Sequence, residues 1–124
     1  MYRAWTYMDI GRLDKAEKEI DALLKLSSSP AVPLATLGRI RARRGDRAGA
    51  GETLARLRAL PYQPSFDIAK VHAELRNREE TLAWLERAEV ERSSAVLYIN
   101  SDPSFAWLRG DPGFVALLER LHLR

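Results

Sequence analysis

Gly45-Asp46-Arg47-Ala48-Gly49-Ala50-Gly51-Glu52-Thr53-Leu54-Ala55-Arg56-Leu57-Arg58-Ala59-Leu60 is the stretch on which the reading of the whole chain turns. A glycine and an acid open it, as they would a tight turn entering a helix. Ala50, Leu54, Leu57 and Leu60 then recur at helical spacing with no proline between them. At an offset of 34 residues the same columns carry Gly11, Ala16, Ile20, Leu23 and Leu26. A period of this length marks a stacked helical hairpin, a unit that cannot bury its apolar face alone and commonly serves to hold a partner.

Reading outward from that stretch, Leu13, Ala16, Ile20, Leu23, Leu24 and Leu26 predict an amphipathic helix over about 12–26. Ser27-Ser28-Ser29-Pro30 breaks it. Pro30 and Pro33 suit a first helical turn, where a missing amide is tolerated, so the next helix is expected over about 31–44 and its partner over about 47–59. Pro61 and Pro64 close this second hairpin. A third is predicted over about 65–91, with Ile68, Ala69, His72, Ala73 and Leu75 on one helix. Arg76-Asn77 forms its turn, and Leu82, Leu85 and Ala88 lie on the other helix, now offset by 31 residues. Small residues recur at Ala4, Gly38 and Ala69, and at Ala16, Ala50 and Thr81, where crossing helices leave no room for a large side chain.

The tail is organised differently. Asp102-Pro103-Ser104-Phe105 and Asp111-Pro112-Gly113-Phe114 repeat one device: aspartate caps a helix, proline presets its first turn, and phenylalanine falls inward. Two short helices are expected, about 103–109 and 112–122, ending on Leu117, Leu118, Leu121 and Leu123. Together with the residues from about 93 they cover the last hairpin. At the other end only ten residues precede Gly11, so the first hairpin, about 1–26, reads as cut short. Tyr2, Trp5 and Met8 are expected to be partly exposed there, as in an excised fragment or a chain that self-associates through this edge.

A length of 124 residues fits one domain with a continuous core, and the absence of cysteine excludes disulfides and thiolate chemistry. No apolar run approaches the roughly 20 residues that span a bilayer, and Met1-Tyr2-Arg3-Ala4-Trp5 lacks the apolar core of a signal peptide, so a soluble cytoplasmic protein is expected. The net charge of +3 is unevenly spread. Seven arginines (39, 41, 43, 44, 47, 56, 58) stand against Asp46 and Glu52 in the second hairpin, whereas Asp67 to Glu91 holds seven acids against four bases. The simpler reading is a solvated surface with attraction between neighbouring hairpins; the sharper one is a basic stripe that meets an acidic ligand.

Catalysis finds little footing. The two histidines, His72 and His122, have no metal-ligand spacing, and no thiolate or phosphate-binding glycine loop is present. His72 reads as a packed histidine, Glu79, Glu80, Glu86 and Glu89 as a solvated helix face, and Ser27-Ser28-Ser29 and Ser93-Ser94 as loop residues. The sequence therefore predicts neither an enzyme nor a bound cofactor or metal.

The columns Gly38, Gly45-Asp46, Ala50 and Leu54, echoed by Gly11, Ala16 and Ile20, resemble the tetratricopeptide repeat. The likeness covers about residues 1–92, with Arg76-Asn77, Thr81, Leu34 and Ser65 departing from the usual pattern. It implies an all-α, right-handed α-α superhelix of three hairpins plus a C-terminal helical cap. The stretches Phe66-Asp67-Ile68-Ala69 and Leu82-Ala83-Trp84-Leu85-Glu86-Arg87-Ala88, with the doubled Asp-Pro-x-Phe, resemble the carboxyl end of bacterial multidomain regulators. In those, such arrays follow a winged-helix, cyclase or protein-kinase domain.

The resemblance implies that the first helix of each hairpin lines a concave groove. Its exposed positions would be Trp5, Met8 and Asp9, then Val32, Ala35, Thr36, Arg39 and Arg43, then Tyr62, Phe66, Asp67, Lys70 and Glu74. Trp5, Arg39, Arg43, Phe66 and Lys70 are the expected contacts, with arginine suited to carboxylates and the aromatics to apolar anchoring. The expected partner is a protein or an acidic peptide. Self-association without a peptide ligand is the runner-up, and nucleic acid on the Arg39–Arg47 cluster ranks below both. The carboxylate clamp of some family members is set aside, because its columns carry Trp5, Arg39 and Thr36 here.

Overall fold

The computed structural model describes residues 2–26, 30–91 and 94–121, and among these all regular structure is helical. Seven α-helices follow in order among them: α1 (Tyr2–Asp9), α2 (Leu13–Leu26), α3 (Ala31–Arg43), α4 (Arg47–Arg58), α5 (Ser65–Glu74), α6 (Arg78–Val90) and α7 (Pro112–Arg120). Two 3-10 helices, Ser94–Tyr98 and Pro103–Leu108, lie between α6 and α7. The expected break at Ser27-Ser28-Ser29, the loop residue Ser93, the side chains of Tyr2 and Ser94, and the tail positions His122 and Leu123 lie outside the described residues.

The same hydrogen bonds close all three hairpin turns. Gly45 N–H donates to Ala42 C=O at 3.0 Å and Asp46 N–H to Arg41 C=O at 2.9 Å. Gly11 and Arg12 donate in the same way to Met8 and Tyr7, and Arg76 and Asn77 to Ala73 and His72. This is the Schellman pattern, which requires a left-handed residue directly after the helix. Gly11 and Gly45 supply it with φ of 78° and 80°, and Arg76 adopts it with φ of 60° despite its side chain. The turns thus fall at the sequence offsets of 34 and then 31 residues. Asp46 ends one helix and begins the next, its carboxylate accepting from Gly49 N–H at 2.9 Å.

Packing divides the chain into two compact units, residues 1–64 and 65–124. In the first, α1 packs on α2, α2 on α3, and α3 on α4. Ala4, Met8, Ala16, Ile20, Leu37 and Ile40 form one buried cluster, ringed by Tyr7, Leu13, Leu23 and Leu24. Ala50, Leu54 and Leu57 are buried on α4. Because α3 is covered by α2 on one side and α4 on the other, every residue from Pro33 to Gly38 is buried. Leu26, expected to close the apolar face of α2, is instead exposed at the helix end.

In the second unit α5 and α6 form the hairpin, and the tail folds over it. Ile68, Ala69, Leu85 and Ala88 are buried with Val96, Ile99, Phe105, Leu108, Phe114 and Leu117 from the tail. Both Asp-Pro segments cap as expected: Asp102 accepts from Ser104 N–H at 2.9 Å, and Asp111 from Gly113 N–H at 2.8 Å and Phe114 N–H at 3.3 Å. The helix after Asp102 is 3-10 rather than α, and the one after Asp111 ends at Arg120. A Cβ at Gly113 would lie 2.9 Å from Leu82 Cδ1, so a larger residue there would push the end of that side chain aside.

Candidate functional site

In the first unit, Trp5 on α1 is 43% exposed, yet its indole is fixed: Nε1–H donates to Thr36 Oγ1 at 3.2 Å. Thr36 is buried and in turn donates to Val32 C=O at 2.9 Å, the back-bond a helical threonine makes one turn upstream. Val32, Thr36, Arg39 and Arg43 are spaced along one face of α3. Val32 and Arg43 are exposed and Arg39 is half-buried. Trp5 therefore lies beside a face that ends in two arginines.

Three of the expected groove positions are not exposed. Met8 is buried in the α1–α2–α3 cluster, and Ala35 and Thr36 are buried on α3. The cause is the double cover of α3, which hides positions that a helix packed on one side only would show to solvent. Met8 likewise faces inward, so of Trp5 and Met8, both expected to be partly exposed at the amino-terminal edge, only Trp5 is; Ile10, for which no exposure was expected, is 63% exposed.

In the second unit, Lys70 and Phe66 are both engaged by the tail. Lys70 Nζ lies 3.1 Å from Asp102 Oδ2, with the two side chains 20% and 13% exposed. Phe66 meets Phe105 edge-on at 5.7 Å between ring centroids, and Phe105 in turn lies 6.4 Å from Phe114. Burial alone would raise the Asp102 carboxyl. The Ser104 amide and Lys70 outweigh it and hold the group below the usual carboxylate range. Asp111 is held low by the Arg78 guanidinium, which grips both its oxygens, and by the amides of Phe114 and Gly113.

The arginine cluster is partly consumed by the fold. Arg41 fastens α3 to α4, donating to Gly49 C=O at 3.2 Å and Thr53 Oγ1 at 3.0 Å. Arg44 pairs with Glu17 at 3.3 Å. His72 is buried, with Nδ1 3.2 Å from Asn77 Nδ2, as a packed histidine should be. Among the described residues no group of three or more His, Asp or Glu side chains is placed to hold a metal, and no helix is long and apolar enough to cross a membrane. An open pocket of about 410 Å³ lies against Ala55, Arg58, Ala59 and Gln63, none of which is an expected contact.

Sequence reasoning expected the tail to cover the last hairpin but left Phe66 and Lys70 of α5 open to a partner, whereas Phe105 and Asp102 of the tail engage them. The signal was present in the doubled Asp-Pro-x-Phe, whose acid and ring match the base and ring of Lys70 and Phe66. Comparison with protein-family models, with curated proteins and with solved structures finds no match for the chain.

Proposed function

We propose that the chain is a tetratricopeptide-like right-handed superhelix that acts as a protein-interaction module rather than an enzyme, and that the α1–α3 face of its first unit holds the partner. One observation carries this reading: an exposed tryptophan whose indole is already held by Thr36. A ring that is fixed before binding loses little conformational freedom on docking, and tryptophan and arginine are the side chains most often dominant in interfaces. Val32, beside the Trp5–Thr36 bond, adds apolar area, and Arg39 and Arg43 favour carboxylates.

The test is selection from a display library of random-sequence peptides against the full chain, followed by anisotropy titrations with synthetic copies of the enriched peptides. Enrichment of peptides whose affinity falls about tenfold or more with Trp5→Ala supports the reading, a loss typical of an interface anchor. Failure to enrich any sequence, or affinities indifferent to Trp5, refutes it. Exposure of Trp5 and Ile10 at the amino-terminal edge favours a second reading, self-association through that edge without a peptide ligand. Light scattering after size exclusion separates the two, since a strict monomer at high concentration removes the second.

A further inference from the structure

Two of the three tryptophans in the chain carry an arginine of their own. Arg87 lies 4.9 Å from the centre of the Trp84 ring, and Arg76 lies 5.2 Å from that of Trp107. At Trp84 the arrangement has a third member, because Arg87 Nε donates to Glu91 Oε1 at 3.1 Å. One guanidinium there serves a ring and a carboxylate at once. Its flat shape suits it to lie on an indole, and its fork of N–H groups suits it to a carboxylate.

Trp5 has no cation on its ring among the described residues, yet a carboxylate stands ready beside it. Asp9 follows Trp5 by one turn on α1, so the two side chains are neighbours on one face of the helix. Helical side chains tilt toward the N-terminus, which carries Asp9 back over the turn that holds Trp5. The Asp9 side chain is exposed and makes no hydrogen bond or ion pair among the described residues. Of the bases past the turn, Lys15 lies over the Tyr7 ring at 5.9 Å, and Arg12 forms no ion pair among the described residues. Arg39 and Arg43 on α3 already have partners; Asp9 has none among the described residues. Asp9 also ends α1, where the aligned carbonyls make the potential negative, and no base stands in that last turn to offset it.

We infer that the Trp5–Asp9 pair takes the side chain of a partner's arginine, with the guanidinium against the indole and its N–H groups on the Asp9 carboxylate. This rests on the interaction reading above and names the side chain that the partner brings to Trp5. The indole is held by Thr36, so the ring is fixed before the cation arrives. Exposed Val32 and Ile10 in the same unit suit apolar residues flanking that arginine.

The probe is the tripeptide acetyl-Leu-Arg-Leu-amide, titrated into the full isotope-labelled chain while the tryptophan indole N–H signals are followed by NMR. The Trp5 signal is the one that Trp5→Phe removes. The expected result is a saturable shift of that signal, with those of Trp84 and Trp107 unmoved because their rings are already covered. The matched probe with citrulline, which keeps the shape of arginine without its charge, should bind about tenfold more weakly, the scale of one charged hydrogen bond. Asp9→Asn should cost the arginine probe a similar factor and leave the citrulline probe unaffected. The citrulline comparison uses the native chain and so does not depend on how a variant folds. An unmoved Trp5 signal, equal affinity for the two probes, equal shifts of all the indoles, or indifference to Asp9→Asn overturns the inference. If the display selection enriches Trp5-dependent peptides without an essential arginine, the interaction reading stands and this inference falls. If it enriches nothing, both fall.

Discussion

Replacing Phe105 with alanine should cost about 3–5 kcal/mol, the range for deleting a buried phenylalanine. The ring is 1% exposed and lies between Phe66 on α5 and Phe114 on α7, so its loss opens a cavity that two separate elements would have to fill. Neither can move freely, because Phe66 is fixed in the α5–α6 hairpin and Phe114 follows the Asp111 cap. Edge-on and tilted ring pairs add about 0.5–1.5 kcal/mol each beyond area burial. In urea, with a denaturation slope near ~2 kcal/mol per molar, the midpoint should fall by about 2 M.

The assay is equilibrium urea unfolding followed by circular dichroism and by fluorescence, to which Trp84 and Trp107 of the same unit contribute. Phe105→Leu keeps most of the volume and should cost less than about 1.5 kcal/mol. A double-mutant cycle with Phe66→Ala should return a coupling of about 0.5–1.5 kcal/mol. A loss below about 1 kcal/mol for Phe105→Ala, or strict additivity in the cycle, would show that the tail does not pack on α5 as described.

Leu54→Ala, at a buried position on α4, should cost about 2–5 kcal/mol in a chemical melt, and a value under about 1 kcal/mol would place Leu54 on the surface. Asp102 and Asp111 have carboxyls held below their ordinary value, so their contribution is complete above the unfolded carboxylate pKa near ~3.9 and disappears as pH falls through the lower folded values. Melts between neutral pH and strong acid should show that loss, and the Asp102→Asn, Asp111→Asn double variant should flatten it; an unchanged acid profile refutes the assignment. Arg76→Gly relieves left-handed strain of about 1–2 kcal/mol but deletes a guanidinium stacked 5.2 Å from the centre of the Trp107 ring, a contact of about 0.5–1 kcal/mol. The substitution should therefore stabilise more in a Trp107→Leu background than in the native one, and equal effects in both would mean the stack contributes nothing.

The turn positions were legible because glycine at 11 and 45 answers a local steric demand that any sequence must meet, and the Asp-Pro caps were legible for the same reason. The third turn was read at Arg76-Asn77 from its place after the hairpin's first helix, but the positive φ of Arg76 was not, since nothing in its identity announces one. Burial of Ala35 and Thr36 was misread for a different cause. Apolar spacing tells which face of a helix packs, but the number of neighbours around α3 is a property of the assembled unit, and with two neighbours its small and polar residues are enclosed as well. Long-range pairs such as Lys70 with Asp102 lie furthest from the reach of spacing rules, because 32 residues separate groups whose match is chemical and not periodic.

Asp102 joins these local and long-range levels, and the two can be separated by experiment. Its Oδ1 serves the turn through Ser104 N–H, and its Oδ2 serves the tertiary contact through Lys70. Asparagine caps about as well as aspartate but brings no charge, whereas alanine does neither. Asp102→Asn should therefore retain the 3-10 turn while losing the salt-dependent part of the stability near neutral pH. Asp102→Ala should fall below it by about 1 kcal/mol, the usual value of a cap. Urea melts at low and at high salt read both quantities at once. If the two variants are equally destabilised, the aspartate works only through Lys70; if Asp102→Asn matches the native chain at low salt, it works only as a cap. The expected ordering, native above asparagine above alanine, with the first gap closing in high salt and the second persisting, requires both oxygens to act as the structure places them.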